Sequence, residues 1–176
     1  MERLIQNRRM INLFGKNKKT DLKDCIVAPV NGKLIPLEQV KDEVFAQKMI
    51  GDGAAVVPDD ELIVAPCTGK ITMLYPTLHA FGIQKDDGIE LLVHIGIDTV
   101  RLNGKGFKSY VKEGDFVEAG DKIIRFDSYE MNNLKMDMTV MTLFSGHEQL
   151  SLNVKKHGYV KRGKSIVVNY KKKEDV

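Results

Sequence analysis

Short aliphatic runs alternate with turn signals every eight to twelve residues along most of the chain. That spacing predicts a sandwich or a barrel. Strands are predicted over Cys25–Val27, Lys33–Pro36, Ala54–Val57, Glu61–Val64, Lys70–Leu74, Ala80–Gln84, Glu90–Ile95, Lys122–Phe126 and Ser165–Asn169. Asn31-Gly32, Asp52-Gly53, Thr68-Gly69 and Asp87-Gly88 mark turns between them. Two short helices are predicted: one over Asp42–Met49, the other from Ser128 as N-cap through Met131, Leu134 and Met138 at helical spacing.

The pattern repeats. Ala28-Pro29-Val30-Asn31-Gly32-Lys33-Leu34 returns 37 residues later as Ala65-Pro66-Cys67-Thr68-Gly69-Lys70-Ile71. A second echo pairs Val111–Asp115 with Val160–Lys164. Two copies do not build a solenoid, which needs at least three. They predict an all-β fold, a β-sandwich or barrel-like fold with a duplicated strand motif and a few short helices. The Pro and Gly of the echoes serve turn geometry.

Composition removes several classes. At 176 residues and 43% hydrophobic, the chain has the makings of one globular domain with a real core. No apolar run reaches the roughly 20 residues of a membrane helix, since Glu90 and His94 break the best candidate, Ile89–Ile97. Arg8 and Arg9 interrupt any secretory apolar stretch. Cys25 and Cys67 form neither a CxxC motif nor a disulfide framework, which fits a cytoplasmic protein with free thiols. Residues 1–23 hold seven Lys or Arg against Glu2 and Asp21, a balance of +5, so the net charge of +3 leaves the rest at −2. The body is therefore no nucleic-acid binder. Three parts are expected: a basic leader (1–23), a folded domain (24–170) and a charged tail (171–176). In the leader, Leu4, Ile5, Ile11, Leu13 and Phe14 can share one side of a helix. Residues 1–19 then either touch an anionic membrane surface weakly, at the inner face, or form a solvated terminus.

The chemistry lies in the histidines. His147 and His157 are read as structural. His79 and His94 flank the hairpin signal Lys85-Asp86-Asp87-Gly88. With an even-length loop both side chains lie on one face, Cβ atoms roughly 4.5–8 Å apart. An odd-length loop sends them to opposite faces. The even register groups His79, Phe81 and Ile83 with Leu92, His94 and Gly96, while Leu91, Val93, Ile95 and Ile97 form the core stripe. Such an apolar patch around two nucleophilic nitrogens suits a partner site. The pair is open to three assignments: a packed pair without chemistry; a zinc site, for which no HxH, HxxxD or HExxH supplies a further ligand; or phosphoryl transfer, in which one neutral imidazole attacks and its neighbour donates to the phosphoryl oxygens.

Thr77-Leu78-His79-Ala80-Phe81 followed by Glu90-Leu91-Leu92-Val93-His94-Ile95-Gly96-Ile97-Asp98-Thr99-Val100 resembles the glucose-type enzyme IIA family of the bacterial phosphoenolpyruvate-dependent sugar phosphotransferase system. Ala28-Pro29, Asp42, Val44-Phe45-Ala46, Gly51-Asp52-Gly53, Ala65-Pro66, Gly104-Lys105-Gly106-Phe107 and Glu113-Gly114-Asp115 extend the likeness over about residues 25–168. The resemblance implies a β-sandwich with a duplicated motif and no cofactor. It implies that His94 takes a phosphoryl group on Nε2 from the histidine-containing phosphocarrier protein. His79 would stabilise that group, and Thr77 would orient His79. Asp42 and Asp98 would receive an arginine of the phosphocarrier, steering encounter more than adding affinity. Val44, Phe45, Ile50, Tyr75 and Leu92 would form the apolar rim. The group would pass to a cysteine of the IIB domain of a sugar permease. Zinc at His79 and His94 is known for some docked family members but is not required. Glu43 stands where the family has an apolar rim residue, and Tyr75 and Leu92 where it often has Phe.

Three other readings come from other classes. A non-catalytic regulatory adapter would bind partners through the same patch and tolerate loss of His94. A zinc hydrolase lacks its third ligand. A lipoyl- or biotin-carrier, suggested by Val111–Asp115, lacks a lysine between two methionines in a hairpin.

Overall fold

A computed structural model describes residues 22–173; the leader, apart from Leu22 and Lys23, and the end of the tail lie outside the described residues. The strands are β1 (Cys25–Val27), β2 (Gly32–Ile35), β3 (Asp52–Pro58), β4 (Leu62–Val64), β5 (Gly69–Leu74), β6 (Ala80–Gln84) and β7 (Glu90–Ile95). There follow β8 (Phe107–Ser109), β9 (Phe116–Val117), β10 (Lys122–Phe126), β11 (Val140–Phe144), β12 (Leu150–Val154), β13 (Gly158–Val160) and β14 (Ile166–Lys172). Two short helices, α1 (Glu43–Ala46) and α2 (Ser128–Asn133), complete the set with brief 3-10 turns. Among the described residues no helix is long and apolar enough to cross a membrane.

The strands form a β-sandwich, as expected. An eight-stranded antiparallel sheet runs β13-β2-β3-β11-β7-β6-β5-β9, and two three-stranded sheets run β1-β14-β12 and β4-β10-β8. The main core joins Leu34, Val56, Ile71, Phe81, Leu91, Val93 and Ile95 of the large sheet to Ile26, Val168, Ile63 and Ile124 of the small ones. A second cluster, Leu37, Val40, Phe45, Ala55, Met141 and Leu143, packs on the other face of the large sheet, beneath α1.

The echo is a structural duplication. Val27 N donates to Pro66 O at 2.8 Å, and Val64 N donates to Pro29 O at 2.8 Å. Ala28 N reaches Ser165 O as Ala65 N reaches Asp121 O, and Gly163 N reaches Ala28 O as Gly120 N reaches Ala65 O. Gly32 pairs with Val160 as Gly69 pairs with Val117. The counterpart of Val160–Lys164 is therefore Val117–Asp121, not the echo at Val111–Asp115. The sheet orders match strand for strand under this correspondence. The unit from β4 to β10 is thus inserted between β3 and β11 of the other unit.

Several sequence expectations need correction. Asp127, not Ser128, caps α2, its carboxylate accepting from Glu130 N. The helix stops well before Met138, because Lys135 takes a left-handed φ of 52°. The first helix is a single turn, capped by Asp42 through Val44 N. Strands β8, β9, β11, β12 and β13 were not expected. Lys171 and Lys172 continue β14 and pair with Ser151 and Leu150, so the strand runs into the expected tail.

Candidate active site

His94 lies in β7, paired with Ala80 on one side and Met141 on the other. Successive side chains of a strand point to opposite faces. Val93 and Ile95 enter the main core, so His94 and Leu92 point to the other face, toward α1.

His79 reaches His94 by a route other than strand pairing. Lys85 N donates to Ile89 O and Gly88 N to Lys85 O, which closes a three-residue loop, Asp86–Gly88. Gly88 adopts φ +83°, the left-handed position of such a loop. The loop is odd, so Ala80, not His79, stands opposite His94. Phe81 and Ile83 accordingly sit fully buried in the main core, not on the histidine face. Yet His79 precedes the regular strand. Leu78 before it adopts φ 54° and donates its N–H to Tyr75 O. That turn frees the His79 side chain from the alternation of β6, while its carbonyl still accepts from Ile95 N at 2.7 Å. The two imidazole centroids end 5.1 Å apart, edge to face.

Four rings stand in a row. Tyr75 packs on His79 at 5.0 Å, and Phe45 packs on His94 at 4.9 Å. Thr77 Oγ1 lies 2.6 Å from His79 Nδ1. This short bond engages Nδ1 and leaves Nε2 as the free nitrogen. His94 Nδ1 is buried with no hydrogen bond of ordinary geometry, although the Gly96 backbone lies close enough to favour the protonated ring. Only Nε2 of His94 is then available to an incoming group.

Burial disfavours the charged form of both rings. Burial, with His79 adding a smaller effect, pushes His94 down from an ordinary 6.5 to about 4, against the opposing pull of Gly96, Asp42 and Asp98. Burial also lowers His79. Neutral imidazole is the nucleophilic form.

The other expected residues separate into two groups. Asp42, at the cap of α1, and exposed Asp98, at φ 56°, lie near enough to act on His94. Val44 and Ile50 are 41% and 44% exposed, and Tyr75 and Leu92 are partly covered. Phe45 differs: at 6% exposed it backs His94 from the second cluster and does not stand on the rim. Sequence reasoning passed over Met49, 68% exposed beside Ile50, and Val100, 50% exposed two residues after Asp98. Exposed apolar residues next to the chosen ones were the available signal.

The site is open. A cavity of about 1070 Å³ lies elsewhere, lined by residues such as Val27, Thr68, Lys85, Asp87 and Lys164, and shares no residue with the histidine pair. Enclosed pockets suit small ligands, whereas an exposed rim around two histidines suits a protein partner. Zinc finds little here: two imidazoles are half a tetrahedral shell, and among the described residues no group of three or more His, Cys, Asp and Glu is placed to hold a metal.

Comparison with known proteins places the chain in a family. Residues 24–150 match the family model described as phosphoenolpyruvate-dependent sugar phosphotransferase system, EIIA 1. The chain is 40% identical over 158 residues to the PTS system glucose-specific EIIA component of Staphylococcus epidermidis, covering 89% of this chain and 95% of that one. Its identity to the component of the same description from Staphylococcus aureus is 39% over the same length. Among solved structures, the glucose permease IIA from Mycoplasma capricolum superposes with a TM-score of 0.74 at 39% identity, over 82% of this chain and 93% of that one. The chain belongs to the EIIA 1 family of the phosphoenolpyruvate-dependent sugar phosphotransferase system, a family of phosphoryl carriers in sugar transport.

Proposed function

We propose that His94 is the phosphoryl-accepting nucleophile of this carrier. Its Nε2 lone pair forms a bond to phosphorus as the bond to a histidine nitrogen of the phosphocarrier protein breaks, and the departing imidazole keeps that electron pair. In the second step a IIB cysteine thiolate attacks the same phosphorus, and His94 leaves as a neutral imidazole. The transition state spreads charge over the phosphoryl oxygens. His79, steadied by Thr77, donates a hydrogen bond to those oxygens. Asp42 and Asp98 steer a basic partner, and Val44, Ile50, Tyr75 and Leu92 form the contact rim with Phe45 behind them. The chain works in the cytoplasm, with residues 1–19 making at most a weak contact at the inner membrane face.

One observation carries this proposal. Two imidazoles stand 5.1 Å apart, one with Nδ1 engaged and the other with Nδ1 buried, so each presents Nε2, and burial disfavours the charged form of both. Intact mass after incubation with phosphoenolpyruvate, enzyme I and the phosphocarrier tests it. Wild type should gain one acid-labile phosphoryl group and His94→Ala none. His79→Ala should accept the group but fail to pass it to a IIB domain. A well-folded wild type that gains no mass would favour the regulatory adapter instead.

A further inference from the structure

The turn that follows His94 is held by a segment outside the site. Gly96 N donates to Thr139 O at 2.9 Å, and Ile97 N donates to Asp137 O at 2.7 Å. Asp137 Oδ1 accepts from Thr139 N at 3.0 Å and from Thr139 Oγ1 at 2.6 Å. These two side-chain bonds set the direction of the Asp137 and Thr139 carbonyls, which are the groups that hold the turn. From the other side, buried Thr99 donates its hydroxyl to Ile95 O at 2.5 Å. Gly96 is boxed: a Cβ there would meet Thr99 Cγ2 at 2.5 Å and Asp137 O at 3.1 Å, and its φ is +77°. The turn carries the Gly96 backbone against the His94 ring and leads directly to Asp98, both of which act on that ring.

We infer that Asp137 and Thr139 are positioning residues for His94. They touch no reacting atom. They lock the 137–139 segment so that the Gly96 turn keeps His94 in one tautomer, with Nε2 unprotonated and facing outward. A displacement of about 1 Å at a reacting group can cost up to ~100-fold in rate, so a clamp behind the nucleophile matters to transfer. This inference rests on phosphoryl acceptance at His94.

The test uses the full chain labelled with 15N-histidine, as wild type, Asp137→Ala, Asp137→Asn and Thr139→Val. The imidazole 15N shifts report the tautomer of His94, and intact mass against time reports phosphoryl acceptance. Wild type should show a single tautomer protonated at Nδ1. Asp137→Ala should show mixed tautomers and roughly tenfold slower acceptance. Asp137→Asn, which keeps the Oδ1 acceptor, should restore most of both; Thr139→Val, which keeps the N–H donor, should fall between. Circular dichroism identifies the folded variants, and if Asp137→Ala is not folded, Thr139→Val decides. A folded variant without the clamp that keeps either the wild-type 15N pattern or the wild-type rate overturns the inference. If wild type accepts no phosphoryl group, the carrier function falls, and the 15N pattern alone decides the positioning.

Discussion

At the scale of single residues, the environment does for His94 what its chemistry asks. An imidazole near 6.5 is partly protonated in neutral solution. One pushed to about 4 is almost wholly neutral there. NMR titration should therefore place His94 well below the ordinary value, and phosphoryl acceptance should not decline through pH 6.5 from protonation of this ring. The same shift has a consequence for stability. Above pH 6.5 the ring is neutral in both folded and unfolded chains. As pH falls toward about 4, the unfolded chain takes up a proton that the folded chain refuses, so stability is lost across that window. The contribution of His94 is about 3 kcal/mol. Denaturant unfolding at pH 7 and pH 4 should show this loss in wild type and a smaller one in His94→Gln. His79 acts in the same direction. The histidines themselves were legible in the sequence, because few residue types serve as neutral nucleophiles. Phe45 behind His94 was legible only as an apolar residue, since nothing local distinguishes a rim position from one turned inward.

At the scale of elements, the even-loop register was wrong and the nearness of the histidines was right. The hairpin closes through three residues, and alternation alone would part the rings. The left-handed φ at Leu78 brings them back. Nothing in the local sequence signals that φ, since Leu rarely adopts it. β11 was hidden for a related reason. Val140 and Phe144 enter the main core while Met141 and Leu143 enter the second cluster. A strand buried on both faces loses its alternation, and the nearby spacing of Met131, Leu134 and Met138 imitated a longer helix. Turn glycines were legible, but their unequal importance was not. Gly163 has φ +66°, and a Cβ there would lie 2.9 Å from Gly120 Cα; Gly88 has φ +83° with nothing within 4 Å. Gly88→Ala should cost about 1–2 kcal/mol from backbone conformation alone. Gly163→Ala should cost more than that, because the obstacle is backbone that must move. Chemical denaturation of the two variants side by side checks the order.

At the scale of the whole molecule, the duplication explains both the fold and the placing of the site. The two units share one main core and meet where β7 pairs with β11 in the middle of the large sheet. His94 lies on that seam, opposite Met141. The counterparts of β6 and β7, which are β3 and β11, contain no histidine. One unit thus supplies His94, the proposed nucleophile, and the other supplies the strand it rests against. Because the core is common, the units should not unfold separately. Tyrosine fluorescence and far-ultraviolet circular dichroism should report a single coincident transition in urea; two separated transitions would mean that the inserted unit is an independent domain. The Ala-Pro echo was readable because its Ala-Pro and Gly-Lys pairs recur at the same spacing. The second echo misled, because Gly114 and Gly120 both lie in turns of similar sequence and only the hydrogen bonds identify the counterpart of Gly163.

The central claim is that Nε2 of His94 carries the phosphoryl group. Phosphorus–nitrogen NMR of the phosphorylated chain, labelled with 15N-histidine, tests it most directly. One 31P resonance coupled to Nε2 of His94, absent in His94→Ala, is the predicted result. A phosphoryl group on His79, on Nδ1 of His94 or on any other side chain would contradict it.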